Sequence, residues 1–318
     1  MSTVSIICPI LNEERFIERC IQSVLQQDIP VNEWELLLVD GGSTDRTRER
    51  ILPYTEQHPN IRLLSNPHRT APYAMNIGIR AAKGEYICRI DAHSSYAKNY
   101  VSTLRRYMTT LPDAANVGAV CRTEARDDSR KAKAIAAVLS HRFGVGGSAF
   151  RTGIQTVTET DTVPFGFYRR ETFDQIGLYD ERLTRNQDIE LNKRLSQHGG
   201  KIYLVPDTYC TYYARSTYQE LAANSYANGK WNILTVYYTR NFHSLSLRHF
   251  IPLMFVLSII TGVSVVLYLL LASIVSAQVA KQQKLSFPHV LWAFCVLHTS
   301  YGVGSLTGLL TLPFMRNK

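Results

Sequence analysis

Two hydrophobic patterns divide the chain. Up to about residue 245, short apolar runs alternate with segments whose apolar residues recur at helical spacing. Residues 4–9 form an apolar strand. Phe16, Ile17, Cys20, Ile21, Val24 and Leu25 then repeat as one face of a helix, with Asn12 as its expected cap and Glu13 and Glu14 at the positive end of its dipole. Residues 35–39, 61–64 and 86–90 give three further strands, and residues 71–82 a helix stopped at Gly84. Later, residues 165–169 and 201–205 read as strands and residues 188–197 as a helix, whereas 117–153 show no clear period. Alternating strands and helices predict an α/β domain, a Rossmann-like and mostly parallel sheet flanked by helices. Ligands of such sheets bind beyond the carboxyl ends of the strands, and Asp40 and Asp91 both stand there.

The second pattern lies beyond residue 245. No charged residue occurs from Phe250 to Ala280, and none from Phe287 to Phe314. Each stretch exceeds the roughly 20 residues that cross a bilayer. The composition shift predicts a catalytic-type domain over 1–245 and a membrane anchor over 246–318, with two spans at about 250–280 and 287–314. Arg240, His243, Arg248 and His249 precede the first span, and Arg316 and Lys318 follow the second, so both ends are expected in the cytoplasm. Lys281 and Lys284 in the intervening loop oppose that orientation. The alternative for the apolar tail is a dimer interface.

Charge and cysteine content narrow the picture. The formal net charge is +9. No basic run is dense enough for nucleic acid, and a membrane surface with a diphosphate substrate accounts for the balance. The six cysteines form no C-x-x-C pair, which fits a reducing compartment.

Three acidic motifs are candidates for chemistry. Asp40, followed by Gly41-Gly42-Ser43-Thr44, can accept hydrogen bonds from a nucleobase or ribose, or can simply cap the next helix. Asp91-Ala92-His93 puts a carboxylate and an imidazole on one side of a strand end, a pair suited to Mg²⁺ or Mn²⁺ on a diphosphate. Asp188, near a helix start, can act as general base towards a hydroxyl, with Glu190 as its rival. Arg69, Asn76 and Arg80 flank the helix over 71–82; Arg69 and Asn76 are candidate substrate-binding residues, a guanidinium being suited to a phosphate, and Arg80 reads as a solvated surface charge.

At these motifs the sequence resembles the family 2 glycosyltransferases, and within them the succinoglycan glucosyltransferase subgroup. The resemblance rests on Ile10-Leu-Asn-Glu-Glu14, Val39-Asp-Gly-Gly-Ser-Thr-Asp45, Ala74-Met-Asn-Ile-Gly-Ile-Arg80, Arg89-Ile-Asp-Ala-His93, Gly146-Gly-Ser-Ala-Phe-Arg151, Asn186-Gln-Asp-Ile-Glu-Leu-Asn192 and Gly229-Lys-Trp231. It implies a GT-A fold and inverting transfer from a nucleotide sugar, UDP-glucose first, to a lipid-linked saccharide in exopolysaccharide or cell-surface glycan synthesis. Glu13 and Asp40 would hold the nucleotide, Asp91 and His93 the cation, and Asp188 the acceptor proton. Trp231 would lie near the acceptor. The resemblance further implies an inner or plasma membrane enzyme, cytoplasmic in its catalytic domain, with polysaccharide-assembly proteins as partners. Two departures stand out: His93 replaces the second Asp of the metal motif, and Gln187 stands where Glu is common.

Two other function classes compete. A nucleotidyltransferase also uses a metal acid on an α/β sheet, but Asn12-Glu13-Glu14 occupies the place of its glycine-rich, lysine-bearing loop. A non-catalytic membrane-bound scaffold that binds nucleotide sugars is favoured only by Gln187.

Overall fold

The computed structural model describes residues 3–240, 247–259 and 262–315. The chain forms two compact units, one of residues 1–122 and 153–212, the other of residues 123–152 and 213–318. Residues 123–152 and 213–240 thus pack with the C-terminal helices, although composition groups them with the first domain.

The first unit is built on strands β1 (Val4–Ile10), β2 (Trp34–Asp40), β3 (Ile61–Ser65) and β4 (Tyr86–Arg89), in the order β3-β2-β1-β4 and all parallel. Every residue of β2 is buried, which is why it reads as an unbroken apolar run rather than as an alternation. Of its two acids, Glu35 is buried but satisfied: Oε1 accepts from the Ser5 hydroxyl at 2.7 Å and the Lys83 amide at 2.6 Å, and Arg62 lies 3.3 Å from Oε2. Helices α1 (Ile17–Leu25), α2 (Thr47–Gln57) and α3 (Ala71–Ala81) make the connections. Helix α1 buries Ile17, Cys20, Ile21 and Val24, the face given by its periodicity. It begins at Ile17 and not at Asn12, whose backbone is left-handed (φ 57°) and whose side chain bonds elsewhere.

After β4 the sheet changes direction. It continues through β5 (Ser94–Tyr96), β6 (Ala114–Ala125), β7 (Thr158–Glu159), β8 (Phe167–Arg169) and β9 (Lys201–Ala214). Strand β8 pairs antiparallel with both β4 and β6, and β9 pairs antiparallel with β5 and β7. The sheet is therefore mixed: β8 runs against both of its neighbours, although α5, α6, α7 and β7 separate it from β6 in the chain. Strand β6 escapes the sequence pattern because its inward residues are small, and β9 runs on past Pro206 where the apolar run stops. Helices α4 (Tyr100–Thr110), α8 (Glu171–Ile176) and α9 (Gln187–Gln197) complete this unit.

The second unit holds α5 (Arg130–Leu139), the short α6 (Arg142–Val145) and α7 (Ala149–Thr152), then α10 (Tyr218–Thr239), α11 (Ile251–Ser258), α12 (Val263–Gln283) and α13 (Phe287–Thr311). A capping box starts α10, with Thr217 Oγ1 accepting from the Glu220 amide at 3.2 Å. Helix α10 lies close along α13. A Cβ on Gly229 would stand 1.9 Å from the Tyr301 carbonyl oxygen, and Ser305 Oγ donates to the Gly229 carbonyl at 3.1 Å. Asn232 Nδ2 adds a 2.6 Å bond to the Tyr301 hydroxyl.

Among the described residues two helical segments are long and apolar enough to cross a membrane, Val263–Gln283 and Phe287–Phe314. The first expected span, 250–280, is divided. Chain turning near Gly262 separates α11 from α12, and brings the Phe255 and Tyr268 rings within 4.4 Å of each other. Helix α12 exposes Val266, Leu267, Leu270, Leu271 and Ile274, as a lipid-facing surface would. Among the residues behind the orientation expectation, His243, Arg316 and Lys318 lie outside the described residues.

Replacing Gly229 with Ala drives a methyl into backbone, which has no rotamer to yield. An overpacking penalty of about 1–3 kcal/mol is expected. It is read as a thermal unfolding midpoint several degrees lower in detergent, and an unchanged midpoint would remove the close approach of α10 to α13.

Candidate active site

Strand pairing fixes the site's outline. In the parallel register Ile10 pairs with Asp40, and Asp40 with Ser65, while Ile7 pairs with Arg89. The three chains leaving β1, β2 and β4 therefore emerge side by side, about 4.8 Å apart.

The β1 and β2 exits are sewn together. Asn12 Oδ1 accepts from the Thr44 amide at 2.8 Å, and the Asn12 amide donates to Ser43 Oγ at 2.9 Å. The Glu13 amide donates to Thr47 Oγ1 at 2.7 Å, the Glu14 amide to Asp45 Oδ2 at 3.1 Å, and the Arg46 amide to Glu14 Oε2 at 3.1 Å. Burial pushes the Asp45 carboxyl up, but bonds from Thr47 and the Glu14 amide outweigh it and hold its pKa below the usual range. Asn12 is thus a loop clamp rather than a helix cap.

Asp40 ends β2 and is fully buried. Its Oδ1 accepts from the Ser43 amide at 3.0 Å and the Ser43 hydroxyl at 2.6 Å. Its Oδ2 lies 2.9 Å from Arg48 Nε yet accepts no hydrogen bond of good geometry, and the Arg48 side chain is half exposed. A buried carboxylate oxygen with spare acceptor capacity, facing an arginine that can swing away, suits a ligand N–H or hydroxyl. Gly41 lets the loop after β3 close against this strand end: a Cβ there would stand 2.7 Å from the Arg69 carbonyl oxygen. Arg69 itself is exposed, in the left-handed region (φ 68°), on the loop that follows β3.

Asp91 and His93 follow β4. The Asp91 amide donates to the Tyr96 hydroxyl at 2.7 Å and the Ser94 amide to the Asp91 carbonyl at 3.2 Å, so the loop is a tight turn. The Asp91 carboxylate is partly exposed, 3.6 Å from Arg89 Nη2. His93 Nδ1 stands 3.4 Å from Glu13 Oε1, and its ring meets Tyr212 edge-on at 5.6 Å. Among the described residues no three His, Cys, Asp or Glu side chains make a closed metal cage. One partly exposed carboxylate with a neighbouring imidazole fits a cation that takes its remaining ligands from diphosphate and water. It does not fit a structural metal.

Asp188 and Glu190 are separated by their partners. Glu190 is committed to Arg194, with bonds of 2.9 Å and 2.8 Å, and Arg194 also donates to the Leu178 carbonyl at 2.9 Å. Asp188 accepts from the Ile189 amide at 3.0 Å and stands in no ion pair among the described residues. It is half-buried and within electrostatic reach of Arg89. Gln187, by contrast, is buried, and its Oε1 accepts no hydrogen bond from the described residues.

Asn76 is buried and saturated: it accepts from the Tyr179 amide at 2.9 Å and donates to the Tyr179 carbonyl and Glu181 Oε1, both at 2.9 Å. It holds the 179–181 turn and presents nothing to a ligand. Arg80 is exposed and only 4.0 Å from Glu181. Trp231 belongs to α10 in the second unit, stacked on Tyr238 at 6.3 Å. Glu13, Asp91 and His93 therefore share one edge with Asp188, Asp40 lies two strands across, and Asn76 stands behind them. Arg89 escaped the motif reading. Its signal was a lone charge inside an apolar strand, between Cys88 and Ile90.

Comparison with known proteins identifies the family and the fold. The family model for Glycosyl transferase family 2 matches residues 5–177, more than half of the chain. A dolichyl N-acetyl-α-D-glucosaminyl phosphate 3-β-D-2,3-diacetamido-2,3-dideoxy-β-D-glucuronosyltransferase of Methanococcus voltae is 29% identical over 97% of this chain and 98% of its own length. The succinoglycan biosynthesis protein ExoA of Rhizobium meliloti is 33% identical over 66% of this chain and 63% of its own. Among solved structures, the mannosyltransferase PcManGT of Pyrobaculum calidifontis, in complex with GDP-Man and Mn²⁺, superposes with a TM-score of 0.65 at 17% identity, covering 97% of this chain and 87% of that one. The sheet, its loop-borne acids and the family match together place the chain in glycosyl transferase family 2, as a glycosyltransferase of GT-A fold.

Proposed function

We propose that the protein transfers a sugar, with UDP-glucose as the first donor to consider, onto a lipid-linked saccharide at the membrane surface. The observation that carries this reading is the contrast at α9: Glu190 is locked by Arg194 while Asp188 is left half-buried within electrostatic reach of Arg89. A general base must keep a free oxygen for the incoming proton, and of the two rivals only Asp188 does.

The chemistry follows from where the side chains stand. The nucleoside would rest on the sewn β1–β2 loops, with Asp40 Oδ2 accepting from base or ribose and Glu13 beneath. Arg69, exposed beside Gly41, suits the diphosphate. Asp91 and His93 would hold Mg²⁺ or Mn²⁺; when bound, the cation supplies neutralisation of charge growing on the leaving diphosphate. Asp188 takes the acceptor proton as the hydroxyl oxygen bonds to the anomeric carbon and the bond to the diphosphate breaks, with inversion. Trp231 is assigned to the acceptor. The Mn²⁺ named with PcManGT supports a divalent cation, and the dolichyl-linked substrate in the name of the Methanococcus relative supports a lipid-linked acceptor. Two long apolar helices support a membrane site of action, and we assign the catalytic unit to the cytoplasmic face of the inner or plasma membrane, where polysaccharide-assembly proteins would be its partners.

Detergent-solubilised protein given UDP-glucose, Mn²⁺ or Mg²⁺ and a lipid-linked saccharide is expected to release UDP and lengthen the lipid. Asp188→Asn should lower kcat by about 10²–10⁴-fold while UDP binding persists, and Glu190→Gln should cost less than about tenfold in rate. Wild-type rate in Asp188→Asn would refute the assignment. Asp40→Asn should weaken UDP about tenfold, the scale of one charge-assisted hydrogen bond. Calorimetric titration reads this, and unchanged affinity would put the nucleotide elsewhere.

A further inference from the structure

Arg89 is the one arginine of a fully buried strand, only 6% exposed, at the last position of β4. Its Nη2 lies 3.6 Å from Asp91 Oδ1, while Nε and Nη1 have no hydrogen-bond partner. Buried guanidinium donors rarely go unmatched, because each forfeits hydration without recompense. What surrounds them is informative. Tyr179 and Tyr168, both buried, face the guanidinium, and Asp188 lies within its field on the other side. The Tyr168 hydroxyl donates to Asn192 Oδ1 at 3.3 Å, and Asn192 also bonds Asn116 at 2.7 Å and Thr162 at 2.9 Å. Tyr179 is fixed from behind by Asn76. A buried polar cluster therefore lies between the β4 exit and Asn192 in the middle of α9, four residues after Asp188.

We infer that Arg89 is a positioning residue that spans the two halves of the reaction, fixing the Asp91 carboxylate for the cation and the Asp188 carboxylate for the acceptor proton through one shared buried positive charge. This rests on the functional reading above and deepens it. A guanidinium keeps its charge in proteins, and this one stands 3.6 Å from the Asp91 carboxylate. Asp91 is thereby kept from folding back into the sheet and Asp188 is drawn towards the same edge. Its unpartnered Nε–H and Nη1–H leave capacity for Asp188 to approach when substrate fills the cleft. A lysine would keep the charge but reach only one acid at a time.

The test compares Arg89→Met, Arg89→Lys, Asp91→Asn and wild type, all as full-length protein in detergent. Mn²⁺ affinity is read by electron paramagnetic resonance, cation-free UDP affinity by calorimetry, and kcat and donor KM by UDP release. Arg89→Met should bind UDP without cation as wild type does, which reports an intact fold. Its Mn²⁺ affinity should fall about tenfold and its kcat about 10²-fold, with donor KM moved less than about threefold; Arg89→Lys should recover at least about tenfold of the lost kcat. Mn²⁺ affinity and kcat within threefold of wild type in Arg89→Met would overturn the inference, as would equal loss in Met and Lys variants accompanied by lost UDP binding, which marks a purely structural residue. Asp91→Asn separates the two levels. If it leaves Mn²⁺ affinity intact, the cation-site reading itself fails; if it abolishes Mn²⁺ binding while Arg89→Met does not, only the role of Arg89 fails.

Discussion

Everything at the reacting edge depends on three parallel strands ending in register. Because β2, β1 and β4 pair without a slip, their exits present Asp40, Asn12-Glu13 and Asp91 in one row. A one-residue shift of β4 against β1 would turn Arg89 to the opposite face of the sheet and break its contact with Asp91. The buried Ser5 hydroxyl, which accepts from the Gly84 amide at 2.8 Å just before β4 and donates to Glu35 of β2 at 2.7 Å, penalises such a slip, so the buried core and the placement of the acids are a single constraint.

The loops convert that row into a rigid shelf. Six hydrogen bonds between residues 12–14 and 43–47 tie the two loops that leave β1 and β2. Their donors and acceptors are the short polar side chains Asn12, Ser43, Asp45 and Thr47, the types that compete best for local backbone groups. Order is thus imposed before any ligand arrives, which lowers the entropy cost of nucleotide binding.

Much of this was legible in the sequence, for identifiable reasons. Strands buried on both faces leave uninterrupted apolar runs, so β1, β2 and β4 and the acids at their ends could be read directly. The antiparallel half could not. Strand β6 uses Ala, Gly and Val where β8 and α9 pack closely, and small residues carry little period. Asn12 and Asn76 were misjudged for one reason: an amide's partners are tertiary, Thr44 for the first and Tyr179 for the second, and no local spacing reports them. Arg89 depends on Tyr179 and Asp188, about a hundred residues further on. Likewise the apolar tail announced itself by composition, but its break near Gly262 and the long polar partner α10 became visible only in the packing.

The central claim is that one edge of the sheet holds nucleotide, cation and base together. Anomalous diffraction from crystals of the full chain grown with UDP and Mn²⁺ tests it directly. The account predicts a manganese peak at coordination distance from the Asp91 carboxylate and both phosphates, with the uridine over Asp40 and open space before Asp188. A manganese peak away from Asp91, or a nucleotide seated on another surface, would contradict it.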